Sequence, residues 1–180
     1  VSFAPDVKIA NLDEAFSGCT GLTSVEIPAS DPDYGEGGEV SYSYAFQNCT
    51  GLTEATFRDG AMLVDDEMFS GCTSLAAVHL PNSITKVSAW AFGDCESLTD
   101  IYYDGYPDQW AGIAEEGWDD DLPAAVTVHC LEDTEAPTIT ATDGGVHSQN
   151  FRVEAYIRDN RPEITVECAY SADGGKTWQA

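Results

Sequence analysis

The 180-residue chain carries 32 acidic against 7 basic residues, a formal net charge of -25 with its histidines neutral. That surplus excludes a generic electrostatic nucleic-acid binder, which needs basic patches, and opposes docking on an anionic membrane surface. No run of 18 apolar residues occurs, so no segment is expected to insert in a bilayer, and the length allows one domain or two small ones. Acidity of this size serves mainly to keep a protein soluble.

Val1, Phe3 and Pro5 match the end of a repeat whose first half is missing. Residues 1–14 therefore read as a broken first coil with Val1 and Phe3 in its strand, and the chain as a piece of a longer protein. The next stretch, residues 15–28, recurs at 45–58, 68–81 and 91–104. Phe16, Phe46, Phe69 and Phe92 align, as do Cys19, Cys49, Cys72 and Cys95, at intervals of 30, 23 and 23 residues. Leu22, Leu52, Leu75 and Leu98 form a third column. Val25, Ala55, Val78 and Ile101 form a fourth, and Ile27, Phe57, Leu80 and Tyr103 a fifth. One such unit cannot bury its apolar residues alone, so the pattern predicts stacked coils sharing one core.

The L-x-x-V-x-I tail of each unit predicts one short strand per coil, with alternate residues facing in and out. Gly18, Asn48, Gly71 and Asp94 precede the cysteines. These residue types best tolerate positive φ, so the column predicts a left-handed turn closing a short helical segment. The pattern A-F-x-[GN]-C-[TS]-x-L-x-x-V-x-[IL]-P, seen at 15–28 and with variations in the other copies, resembles the BspA-like leucine-rich repeat. The resemblance implies a secreted or surface-attached bacterial protein and covers roughly residues 1–130.

Between the first two full coils, residues 29–39 supply the seven or so residues that exceed the 23-residue period. With Pro, Gly and acid and little apolar beyond Tyr34, this insertion is expected to be an exposed, mobile loop. Residues 62–64 and 84–87 should form a second extended stretch in the return of their coils. After Tyr103 the repeat is lost. Pro107 suits the first position of a helix whose Trp110 and Ile113 share a face. A strand at 125–130 should follow and close the core. The tyrosine-rich 101–105 stretch and Trp110 resemble the terminal cap of BspA-like arrays, with Trp118 and Leu122 in the same cap, about 104–130.

Residues 131–137 read as a polar linker ending in Pro137. Beyond it, 138–142, 151–157 and 164–170 alternate apolar and polar as half-buried antiparallel strands do. Residues 170–178, running from Tyr170 through Asp173, Gly174 and Gly175 to Trp178, resemble a hairpin of bacterial immunoglobulin-like or fibronectin-type modules. Residues 138–180 are thus expected to form a partial immunoglobulin-like β module, about half a usual sandwich.

A row of cysteines at one per coil cannot surround a metal tetrahedrally, and no C-x-x-C pair is present. The four are expected to be unpaired buried hydrophobes. Cys130 and Cys168 lie outside the row; separate buried thiols are the expectation, and a bridge between them the alternative. His79, His129 and His147 show no ligand spacing, and no nucleophile or phosphate-loop motif occurs, so no catalysis, cofactor or metal is expected. His79 falls on the outward strand column, and His129 alternates outward from Val126 and Val128. The acidic 31–39 loop carries carboxylates that calcium takes but departs from the spacing of a calcium loop. A solvated loop is the expectation and calcium binding the alternative, while Asp119, Asp120 and Asp121 are expected to be solvated.

The fold expected is a β-rich leucine-rich-repeat solenoid with one short parallel strand per coil of about 23 residues and short helical or irregular returns. A C-terminal cap and a small antiparallel β module complete it. The function expected is non-catalytic adhesion or protein binding on a bacterial cell surface. The resemblance implies host matrix proteins or other cells as partners, with a glycan as the alternative, while charge and hydropathy imply no nucleic acid and no membrane insertion. The rivals are a glycan- or calcium-binding accessory module of a larger extracellular enzyme, and a structural spacer. Continuous outward columns are the binding surfaces of repeat proteins. The candidate partner-binding residues are accordingly Glu26, Thr56, His79 and Tyr102, with Glu54 and Asp100 beside them.

Overall fold

The computed structural model describes residues 1–31, 40–119, 122 and 126–132, and the backbone of 138–141 and 155–158. The chain divides into two compact units, Val1–Leu131 and Glu132–Ala180. In the first unit the strands in chain order are β1 (Lys8–Ile9), β2 (Ser24–Ile27), β3 (Ala29–Ser30), β4 (Glu54–Phe57), β5 (Leu63–Val64) and β6 (Ala77–Leu80). After them come β7 (Lys86–Val87), β8 (Asp100–Tyr103), helix α1 (Pro107–Ile113) and β9 (Thr127–His129).

Strands β2, β4, β6, β8 and β9 form a five-stranded sheet in chain order, every pair parallel. Each full coil advances by one strand, so successive coils lie one strand spacing apart, about 4.8 Å. Two shorter parallel pairs, β1–β3 and β5–β7, lie in the returns, where residues 62–64 and 84–87 carry the expected second extended stretch. The first unit is a parallel β-solenoid of about five turns with little helix.

The core is the set of aligned columns. Phe46, Phe69 and Phe92 are fully buried and stack, and Phe16 continues the row at 5.2 Å from Phe46 with planes 3° apart. Leu52, Leu75 and Leu98 are buried beside Val25, Ala55, Val78 and Ile101. Burying a leucine or phenylalanine contributes roughly 1.5–3 kcal/mol, so the columns together carry the coil stacking.

Of the two expected forms of the returns, irregular or short helical, the structure shows the irregular one, and the short helical segment before each cysteine is not formed. The returns contain turns and no helix among the described residues of the coils. The reason is a second left-handed position per coil. Besides Gly18, Asn48, Gly71 and Asp94, all at positive φ as expected, Glu14, Tyr44, Glu67 and Trp90 also have φ between 48° and 65°. Two left-handed residues four apart break any helical run. Backbone hydrogen bonds to the next coil hold two of the second set, Glu14 N–H to Ser43 O and Tyr44 N–H to Asp66 O.

The first coil also differs from the sequence expectation. Residues 1–3 form no strand, although Val1 O accepts from Glu26 N–H at 3.1 Å. The cysteine row is buried at Cys49, Cys72 and Cys95, but Cys19 is exposed, because among the described residues no further turn packs over it. Each buried thiol donates to the phenylalanine carbonyl of the preceding coil: Cys49 to Phe16, Cys72 to Phe46 and Cys95 to Phe69, at 3.1–3.2 Å.

At the other end, Pro107 opens α1, and the Gln109 side chain accepts the Tyr106 N–H at 2.8 Å. Trp110 is buried against Tyr103 and meets Trp118 edge-on at 5.2 Å, while Trp118 and Leu122 pack partly against the core. In the second unit, β10 (Thr138–Ala141) pairs antiparallel with β11 (Ala155–Arg158). The expected strand at 164–170, the hairpin at 170–178, Cys168, most of the 31–39 loop and Asp120–Asp121 lie outside the described residues.

Candidate interaction face

The side-chain period of two makes one face of the five-stranded sheet from two residues per strand. Buried Val25, Ala55, Val78 and Ile101 point inward, so the residues on either side of each point outward. The register aligns Glu26 with Thr56, Thr56 with His79, His79 with Tyr102, and Tyr102 with His129. Alongside runs Ser24, Glu54, Ala77, Asp100 and Thr127. All six candidate residues therefore stand on one face, in two straight columns.

His79, Tyr102 and His129 stack. Ring centroids are 4.7 Å apart between His79 and Tyr102 and 4.6 Å between Tyr102 and His129, with planes within 12° of parallel. Their spacing follows the strand spacing, so the sheet itself sets the stack. Each terminal imidazole meets a carboxylate diagonally across the columns. His79 Nε2 lies 3.3 Å from Glu54 Oε1, and His129 Nε2 lies 2.7 Å from Asp100 Oδ1. Hydrogen bonds from Thr99 and then His129 hold the Asp100 carboxyl below the usual aspartate range. Both faces of the Tyr102 ring are covered, yet the residue is 39 % exposed, so it presents its edge and hydroxyl outward.

Glu26 stands apart from this group. Its carboxylate takes a two-point contact from Arg58, Nε to Oε1 at 2.7 Å and Nη2 to Oε2 at 2.9 Å. Arg58 also donates to the carbonyls of Phe3 and Ala4 and so pins the first coil to the sheet. The Arg58 hydrogen bonds to its carboxylate hold Glu26 below the ordinary glutamate range. A shallow depression beside this end of the face is lined by Glu26, Glu54, Thr56 and Ser24 with Val1 and Ser2.

Sequence reasoning missed two members. His129 joins the ring column because β9 pairs with β8 across an intervening helix; the outward–inward–outward order of Thr127, Val128 and His129, matching Asp100, Ile101 and Tyr102, is the signal for it. Arg58 lies just past β4 and reaches back one coil, which spacing along the chain does not reveal. Among the described residues, no three His, Cys, Asp or Glu side chains gather as a metal site, and no helix is long and apolar enough to cross a membrane.

No curated protein and no solved structure matches the chain. A family model described as the BspA type leucine rich repeat region matches residues 12–105 in six copies. The match runs over the stacked phenylalanines, the cysteine row and four strands of the sheet, and the chain belongs to the BspA type leucine-rich-repeat family.

Proposed function

We propose that this repeat module is a non-catalytic adhesion module of a bacterial cell-surface or secreted protein, binding another protein through the face described above. The observation that carries the reading is the His79–Tyr102–His129 stack, a tyrosine-centred, rigid and exposed row on an extended sheet. Tyrosine supplies contact area and a hydroxyl at modest entropic cost, and interface centres favour it. The polar groups run in straight parallel columns, whereas catalysis needs groups converging on one point. Membership of a family found mostly on bacterial surfaces supports the location. We read α1 and β9 as a cap over the end of the core, and residues 138–180 as an immunoglobulin-like β module.

The test is a binding screen of the protein against purified matrix and cell-surface proteins and against glycans, with and without calcium. Saturable binding to a protein, abolished by His79→Ala with Tyr102→Ala at unchanged melting temperature, is the expected result. Binding confined to glycans, binding that requires calcium, or full affinity in the double variant would overturn it.

A further inference from the structure

Building on that reading, we infer that the face recognises an extended cationic segment of its protein partner, with two basic side chains set to meet Glu54 and Asp100. Charge and geometry agree on this. The carboxylates of the two columns are Glu26, Glu54 and Asp100, and Arg58 is already committed to Glu26. The chain as a whole carries 32 acidic against 7 basic residues, so the surrounding field favours a cation.

The stack prepares both carboxylates. His79 and His129 each hold one at hydrogen-bonding or ion-pairing distance, and the rings hold one another through Tyr102. A side chain already restrained loses less rotamer freedom on binding than a free glutamate or aspartate. Glu54 and Asp100 align through Ala77 in one column, two strands apart. Two strand spacings are about 9–10 Å. A polyproline II segment places residues i and i+3 on the same side about 9.3 Å apart, which matches that interval. Covered ring faces also disfavour a sugar, since CH–π contact with a pyranose needs an open face, and Tyr102 offers only its edge.

The experiment uses synthetic peptides in a proline frame: arginines at i and i+3, arginines at i and i+1, and glutamines at i and i+3. Affinities are read by fluorescence anisotropy for the protein, for Glu54→Gln with Asp100→Asn, and for Glu96→Gln with Glu116→Gln. The two double variants change the net charge equally, but only the first lies on the face. The i, i+3 arginine peptide should bind tightest and lose about fivefold in the face variant, as two exposed ion pairs allow. The off-face variant should change little. Equal losses in both variants, equal binding of the glutamine peptide, or no peptide binding would overturn the inference, and equal binding at i, i+1 would overturn its spacing. The face reading is scored separately: a protein ligand lost in the His79→Ala, Tyr102→Ala variant sustains it even if every peptide fails.

Discussion

Cys19 and Cys95 hold the same place in their coils but meet different surroundings. Burial pushes the Cys72 thiol up to about 12, and pushes the Cys49 and Cys95 thiols up as well, while Cys19 is exposed. Since the thiolate is the nucleophile, Cys19 should react with an aromatic disulfide at once, and Cys49, Cys72 and Cys95 only on unfolding. Thiol titration of native and denatured protein distinguishes this from four equivalent sites. A thiol whose pKa is raised on folding stabilises the protein fully below its unfolded value and loses that contribution as pH rises. Stability should therefore fall above about pH 8.5, where unfolded cysteines ionise. Thermal melting across pH 7–11, repeated with Cys72→Ala, should show a smaller alkaline loss in the variant. Glu26 has the opposite sign. Its lowered pKa gives a contribution present above the unfolded value and lost as pH falls through the folded one, so the Arg58 tie should open below about pH 4. Glu26→Gln should remove that acid step from a titration followed by amide signals of residues 3–4.

Within one coil, the left-handed turn before each cysteine shapes the return. Gly18 and Gly71 both take φ above 70°, but a Cβ at Gly71 would run into Asn48 Oδ1, whereas one at Gly18 meets nothing within 4 Å. Gly18→Ala should cost about 1 kcal/mol from the conformation alone, and Gly71→Ala more, because the Asn48 amide must also turn away. Chemical denaturation of the two variants measures the difference; equal costs would mean that the neighbouring coil yields freely. This column was legible because glycine, asparagine and aspartate share a tolerance for positive φ. Its companion was not. Glu14, Tyr44, Glu67 and Trp90 have no common preference for a left-handed turn, and bonds to the next coil impose it on Glu14 and Tyr44. Reading the first column as the end of a helix overlooked the second, which is why a short helical segment was expected where turns occur.

For the solenoid as a whole, stability should vary with a coil's place in the stack. Leu75 is fully buried between neighbours, whereas Leu22 is only partly buried against the core. Leu75→Ala should cost on the order of 2–5 kcal/mol and Leu22→Ala clearly less, as seen in their denaturation midpoints. Equal shifts would count against the order of the coils. The period, the inward columns and the outward face could be read from the sequence because each rests on a local rule, alternation along a strand, repeated by every coil. Stacking like on like then aligns Thr56, His79 and Tyr102 with no further information. What depended on contacts between unlike segments needed the tertiary structure: β9 beside β8, which adds His129 to the stack, Arg58 reaching back to Glu26, and the exposure of Cys19. A repeat specifies its own neighbours through its period, but where the period stops after β8, packing alone decides what lies beside the last coil.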